Sequence, residues 1–254
     1  MKIISLANQK GGVSKSTTAQ AVAEILNSKD KKTLLIDLDP QGNLSFAVGV
    51  KLENALTIYN VMKGEVKTMD ILQTTASGDI LPANILLSGA DIEFTALTGR
   101  EYLLKEAISD IKNNYDYIII DCPPSLSILT INAFVVSDFI VIPLLADVFS
   151  LQGMSQLNIT IQSVRKYCNP NLKIAGILLT KFIQRNNISS NIKDTLNSVA
   201  QQMNAKLFDV CIRNSVVLQE AQLQQESLLK YASNSNAMED YVNFVSELEE
   251  FING

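Results

Sequence analysis

Short apolar runs and longer amphipathic stretches alternate along the chain. The apolar runs fall at residues 3–7, 33–37, 79–83, 117–121, 139–143, 172–180 and 207–211. A run of that length without regular polar alternation predicts a strand buried on both faces, as in a parallel sheet. Between the runs, apolar residues recur at helical spacing. Leu103, Leu104, Ala107, Ile108 and Ile111 predict one amphipathic helix over 100–113, and further helices are predicted over 19–26, 56–62, 126–136, 149–167, 188–203 and 236–252. Strands that alternate with helices imply right-handed crossovers. The expected fold is therefore α/β: a doubly wound, mostly parallel sheet with helices on both faces, in one domain over residues 1–254.

Three of the predicted strands end in chemistry. After the first comes Gln9-Lys10-Gly11-Gly12-Val13-Ser14-Lys15-Ser16-Thr17-Thr18, which leads straight into a helix. A helix N-terminus offers unpaired N–H groups and the positive end of the macrodipole, so it favours an anion. Gly11 and Gly12 let the backbone curl inward around that anion. Lys15 is placed to reach the outer phosphates of a nucleotide, and the Ser16 hydroxyl to ligate Mg²⁺. The usual phosphate loop has glycines at the positions held here by Gln9 and Ser14. If position 14 needs a left-handed backbone, Ser costs roughly 1 kcal/mol more there than Gly. The second strand ends in Asp37-Leu38-Asp39-Pro40-Gln41-Gly42-Asn43, and the fourth run closes on Asp121-Cys122-Pro123-Pro124-Ser125. Acids at the C-terminal ends of parallel strands lie where doubly wound sheets bind ligands. Asp121 has the position of a carboxylate that holds Mg²⁺.

Lys10-Gly11-Gly12-Val13 with Lys15-Ser16 resembles the deviant phosphate loop of the ParA/MinD ATPases, whose mark is a second lysine, here Lys10. Asp37 to Asn43 and Ile118 to Ser125 resemble that family's other two signatures, and Ile212-Arg213-Asn214 its adenine loop. The resemblance runs the length of the chain and implies a ParA/Soj-type partition ATPase that uses ATP and Mg²⁺. It implies nucleotide binding by Lys10, Gly11, Gly12, Val13, Ser14, Lys15, Ser16, Thr17, Arg213 and Asn214, catalysis by Lys10, Lys15 and Asp39, and metal binding by Ser16, Asp37 and Asp121. It further implies that ATP joins two copies, each Lys10 reaching the partner's nucleotide. The homodimer would hold double-stranded DNA non-specifically through Arg185 and Lys181, and a ParB-like centromere-binding protein would release it by stimulating hydrolysis. The place of action would be the bacterial cytoplasm, on the nucleoid. Ile212 and Val217 stand where relatives carry Pro and a DNA-contacting Arg, and Asp147 where they usually carry Glu.

Composition narrows the alternatives. With no histidine and three scattered cysteines, Cys122, Cys168 and Cys211, a zinc or iron–sulfur site and histidine acid–base chemistry fall away. No run reaches the length of a membrane span, and no leader pattern opens the chain. The net charge is −5, yet residues 155–215 hold eight basic and two acidic side chains. Such a segment is either a phosphate-facing patch or a set of solvated helix faces. The last helix carries Glu239, Asp240, Glu247, Glu249 and Glu250 and no lysine, so an anionic bilayer would repel it. That argues against the first alternative, a MinD-like positioning ATPase on membrane, and makes the helix a core element. The second alternative is a nucleotide switch whose hydrolysis Ser14 impairs.

Overall fold

A computed structural model describes residues 1–53, 55–147, 153–183 and 188–254, without the side chains of 188–194. Among the described residues there are eight strands: β1 (Lys2–Leu6), β2 (Thr33–Asp37), β3 (Gln73–Thr75), β4 (Gly78–Leu81), β5 (Tyr117–Asp121), β6 (Phe139–Leu145), β7 (Lys173–Phe182) and β8 (Lys206–Arg213). They form one sheet in the order β3-β4-β2-β5-β1-β6-β7-β8. Every neighbouring pair is parallel except β3–β4. The strand period of two divides the apolar residues between two helical layers. Ile118 and Ile120 pack with Leu34 and Ile36 on one face, against the helix Ile128–Val136 and its neighbours. Ile119 packs with Ile4 and Leu35 on the other, against α1 (Lys15–Ser28) and the terminal helix Asn236–Asn253. The expected doubly wound sheet is thus present.

The terminal helix is a core element, as its acidic surface suggested. Met238, Tyr241, Phe244, Val245 and Leu248 are all buried. Among the described residues no helix is long and apolar enough to cross a membrane.

Residues 100–113 depart from expectation. In place of one helix there is a 3₁₀ turn (Arg100–Tyr102), a five-residue helix (Leu103–Ala107) and a second 3₁₀ turn (Lys112–Asn114). Tertiary partners take the backbone groups a longer helix would use. Asn132 Oδ1 accepts the Leu104 N–H at 2.9 Å, and the Thr68 hydroxyl donates to the Ala107 carbonyl. Ser109, Asp110 and the asparagines that follow add little helix propensity to resist. The strand β3 was not expected at all. Its three residues are too few and too polar to stand out in the sequence.

For the site, register is what matters. Asp37 of β2 lies opposite Asp121 of β5, and Asp121 lies opposite Leu6 of β1. The three motif-bearing strands are adjacent at the centre of the sheet, so their C-terminal loops emerge side by side.

Candidate functional site

The first loop runs from the end of β1 into α1. Two successive left-handed turns shape it, Gly12 at φ +73° and Ser14 at φ +65°. Between them Val13 is fully buried, and its carbonyl accepts the Thr180 hydroxyl at 3.1 Å. Val13 is therefore an anchor, and its neighbours face the cleft. Asn8, which no motif in the sequence marks, ties the loop down from the other side. Its amide donates to the Pro143 carbonyl at 2.7 Å, and its oxygen accepts the Lys10 N–H at 2.9 Å.

Ser14 is the N-cap of α1 and makes no side-chain cap hydrogen bond. It carries the cost of a left-handed backbone with no compensating bond, roughly 1 kcal/mol. Ser14→Gly is accordingly expected to raise the melting temperature by roughly 2–4 °C, as scanning calorimetry would record. An unchanged or lower value would show that no strain resides there. Since the loop reaches its left-handed form with Ser in place, the substitution taxes the phosphate cradle without unmaking it.

A cleft of about 600 Å³ opens over this loop. Its walls include Gly11, Gly12, Ser14, Lys15, Ser16 and Thr17 from the first motif and Asp39, Gln41 and Asn43 from the second. Arg213, Asn214, Phe46 and the face of the helix Val216–Leu223 around Gln222 close the far side. Lys15 is only 7% exposed, and among the described residues its ammonium makes one long contact, 3.5 Å, to the Lys10 carbonyl. A buried cation so weakly engaged is a strong attractor for phosphate. Arg213 contributes backbone, because its guanidinium is clamped on Asp240, with Nε to Oδ2 at 2.9 Å and a second nitrogen to Oδ1 at 2.7 Å.

Three carboxylates differ in their surroundings. Asp39 lines the cleft, and its described side-chain bond is to the Gln41 N–H at 3.0 Å. Asp37 does not line the cleft. Its Oδ1 accepts the Asp39 N–H at 3.0 Å, and its Oδ2 accepts both the N–H and the hydroxyl of Ser45, at 2.9 and 2.8 Å. Asp37, expected near the metal, lies opposite Asp121 and fastens the turn that carries Asp39, with burial pushing its pKa up to about 6 against those hydrogen bonds. Asp121 is fully buried, and neither oxygen has a hydrogen-bond partner of good geometry among the described residues. Burial pushes its pKa well above the usual carboxylate range and the Asp37 charge adds to this, while the nearby Ser16 hydroxyl and Lys15 ammonium oppose it.

An orphaned carboxylate beside a serine hydroxyl fits a hard, oxygen-seeking cation. Among the described residues no three Asp, Glu, His or Cys side chains gather round one point. That suits Mg²⁺, which takes one or two protein ligands and fills its shell with water and phosphate oxygens. Cys122, next in sequence, is buried and its thiol is pushed up by desolvation, which marks a packing residue and no reactive one.

Of the remaining site residues, Lys10 pairs with Asp147, Nζ to Oδ2 at 2.7 Å. Lys181, expected to face DNA, lines the cleft in a left-handed conformation at φ +51°. Arg185 lies outside the described residues.

A nucleotide-sized cleft over a strand–loop–helix phosphate cradle, at the C-terminal ends of central parallel strands, defines a P-loop nucleoside triphosphatase. Comparison with known proteins narrows this. A family model described as an AAA domain matches residues 1–174. The chain is 38% identical over 250 residues to the sporulation initiation inhibitor protein Soj of Bacillus subtilis, covering 97% of this chain and 98% of that one. It is likewise 38% identical to the chromosome partitioning protein ParA of Myxococcus xanthus, over 97% and 87% of the two chains. The crystal structure of cobyrinic acid a,c-diamide synthase from Mycobacterium smegmatis with bound ADP and magnesium superposes with a TM-score of 0.87 at 30% identity, covering 100% of this chain and 96% of that one. The chain belongs to the ParA/Soj-type family of P-loop ATPases.

Proposed function

We propose that this protein is a DNA-partition ATPase whose Mg²⁺-ATP-bound homodimer holds double-stranded DNA non-specifically and lets go on hydrolysis. The observation that carries the reading is the pairing of two unequal lysines on one loop. Lys15 is buried and lines its own cleft, whereas the Lys10 side chain is about a third exposed and is not part of that lining. Lys15 serves the phosphates in its own cleft. The Lys10–Asp147 pair is of the partly exposed kind, worth about 0–1 kcal/mol, small beside the attraction a triphosphate exerts on the same ammonium. Lys10 can therefore exchange Asp147 for the nucleotide of a second copy. Ser16 and Asp121 hold Mg²⁺, which neutralises phosphate charge. Asp39 orients the water that attacks the γ-phosphorus, giving ADP and phosphate, while Lys15 and the partner's equivalent lysine stabilise the charge that develops. Asp37 positions Asp39 through the turn.

DNA binding is supported by charge and by the names of the relatives. Lys166, Lys173 and Lys181 are exposed within the basic segment 155–215. Retention of plasmid DNA in the presence of ATP is expected to fall steeply as salt rises, since each neutralised phosphate adds about 0.9 to the log–log slope. A flat response between 50 and 200 mM salt, the roughly 10³–10⁵-fold window for six to ten contacts, would overturn the electrostatic part of the reading. A ParB-like protein bound to a centromere is the partner that would accelerate the hydrolytic step.

A further inference from the structure

One hydrogen-bond chain leaves the cleft, runs in a single direction and ends on a buried carboxylate. The Thr17 hydroxyl donates to Gln222 Oε1 at 3.2 Å. Gln222 Nε2 donates to Gln20 Oε1 at 3.1 Å, and Gln20 Nε2 donates to Glu24 Oε1 at 3.0 Å. Glu24 is 3% exposed and Gln20 fully buried. Three more donors converge on the same carboxylate: the Ser77 hydroxyl at 2.6 Å, the Ser227 hydroxyl at 2.7 Å and the Leu229 N–H at 2.9 Å.

The polarity of this chain follows from its end. An ionised carboxylate only accepts, so the Gln20 amide must turn its NH₂ toward Glu24 and its oxygen toward Gln222. Gln222 must then give its own NH₂ to Gln20, which leaves its oxygen as the group that faces Thr17 and the cleft. A glutamine left to itself could present either end. Here the Glu24 carboxylate two side chains away, seconded by the Glu226 carbonyl at 3.5 Å from Gln20 Nε2, decides that an acceptor is presented.

We propose that Gln222 is a nucleotide-selectivity residue whose Oε1 accepts a hydrogen bond from a ribose hydroxyl. This rests on the placement of ATP proposed above. An acceptor repels phosphate oxygens and selects a donor. Thr17 is in the first turn of α1, beside the phosphate cradle. With the phosphates on the cradle and the base toward Arg213 and Asn214 of the same cleft, Gln222, on the cleft wall and within hydrogen-bond reach of Thr17, would fall alongside the sugar. When a phosphate oxygen takes the Thr17 proton, Gln222 Oε1 loses its present donor, and the 2′- or 3′-hydroxyl can replace it. Glu24 and Gln20, which touch no ligand, act as positioning residues.

The test is calorimetric binding of ATP, 2′-deoxy-ATP and 3′-deoxy-ATP, each with Mg²⁺, to the intact protein and to Gln222→Met and Glu24→Gln. The intact protein is expected to bind ATP roughly tenfold more tightly than one of the deoxy analogues, the worth of one neutral hydrogen bond; which analogue suffers tells which hydroxyl is read. Gln222→Met should bind all three alike, and Glu24→Gln should narrow the ratio because the amides then keep only the long Glu226 carbonyl contact to hold their direction. The ratio is insensitive to a general loss of stability, which would weaken all three equally. Equal affinities in the intact protein, or an unaltered ratio in Gln222→Met, would overturn the assignment. An unaltered ratio in Glu24→Gln would overturn the part given to the buried carboxylate. Failure of all three nucleotides to bind would overturn the cleft reading itself, and this inference with it.

Discussion

Replacing Asp39 by alanine is expected to lower the rate of ATP hydrolysis by roughly two to four orders of magnitude, the usual contribution of a positioned acid–base or water-orienting group. ATP affinity should stay within a few-fold of the original. The contrast follows from geometry. Asp39 lines the cleft, yet its described side-chain bond is a single one to the Gln41 N–H. Its removal costs the fold about 1 kcal/mol and leaves the phosphate loop untouched. Asp37→Ala should behave otherwise. Three hydrogen bonds end on its carboxylate, from Asp39 and Ser45, and the Ser45 hydroxyl also accepts the Ala83 N–H at 3.0 Å. Losing Asp37 should loosen the whole turn and lower the melting temperature as well as the rate. Phosphate-release kinetics with parallel nucleotide binding check both. Turnover by Asp39→Ala within a few-fold of the original would remove Asp39 from the water-positioning role.

Asp121→Asn is expected to move stability and activity in opposite directions. A buried carboxylate with no hydrogen-bond partner of good geometry among the described residues is a burden to the nucleotide-free fold. Asn keeps the shape and removes the charge, so the apo variant should gain about 2 kcal/mol, or roughly 4–8 °C in melting temperature. The gain should depend on pH. The pKa values of Asp121 and Asp37 are both raised by burial, Asp37 to about 6. Between the ordinary carboxylate range near 4 and those raised values the folded state binds more protons than the unfolded one, so stability falls as pH rises. The intact apo protein should therefore lose stability from about pH 4 upward through pH 6 and beyond. The variant should show a shallower loss, and the gap between the two should widen toward pH 8. Mg²⁺-dependent hydrolysis should meanwhile fall on the order of 100-fold or more, the worth of several kcal/mol of charge stabilisation. Melting curves across pH, with and without Mg²⁺-ATP, decide it. A variant less stable than the original at pH 8 would mean that Asp121 has partners in the apo fold that the geometry does not show.

The parts of the site legible in the sequence are those written on consecutive residues. The phosphate loop, Asp37 to Asn43 and Ile118 to Ser125 each combine a strand end with a turn, and runs such as Ile118-Ile119-Ile120 can hardly be anything but central strands. What stayed hidden depends on residues far apart. The role of Asp37 is set by Ser45, and the Asn8 fastening depends on Pro143, 135 residues away. Gln20 and Glu24 look like ordinary polar positions on α1 until the helix Val216–Leu223 lays Gln222 against them. The break in the expected helix over 100–113 is decided by Asn132 and Thr68, which no local pattern reveals. The left-handed backbone at Ser14 was half legible. The missing glycine could be seen, and its conformation had to await the fold.

Light scattering of the purified protein tests most directly whether a triphosphate joins two copies of this chain. With Mg²⁺ and a slowly hydrolysed ATP analogue, the mass should move from that of a 27.9 kDa protomer to twice that value, and Lys10→Ala should remain a protomer while still binding the analogue. A single-protomer mass for the intact protein with saturating analogue, or a dimer that Lys10→Ala forms equally well, would contradict it.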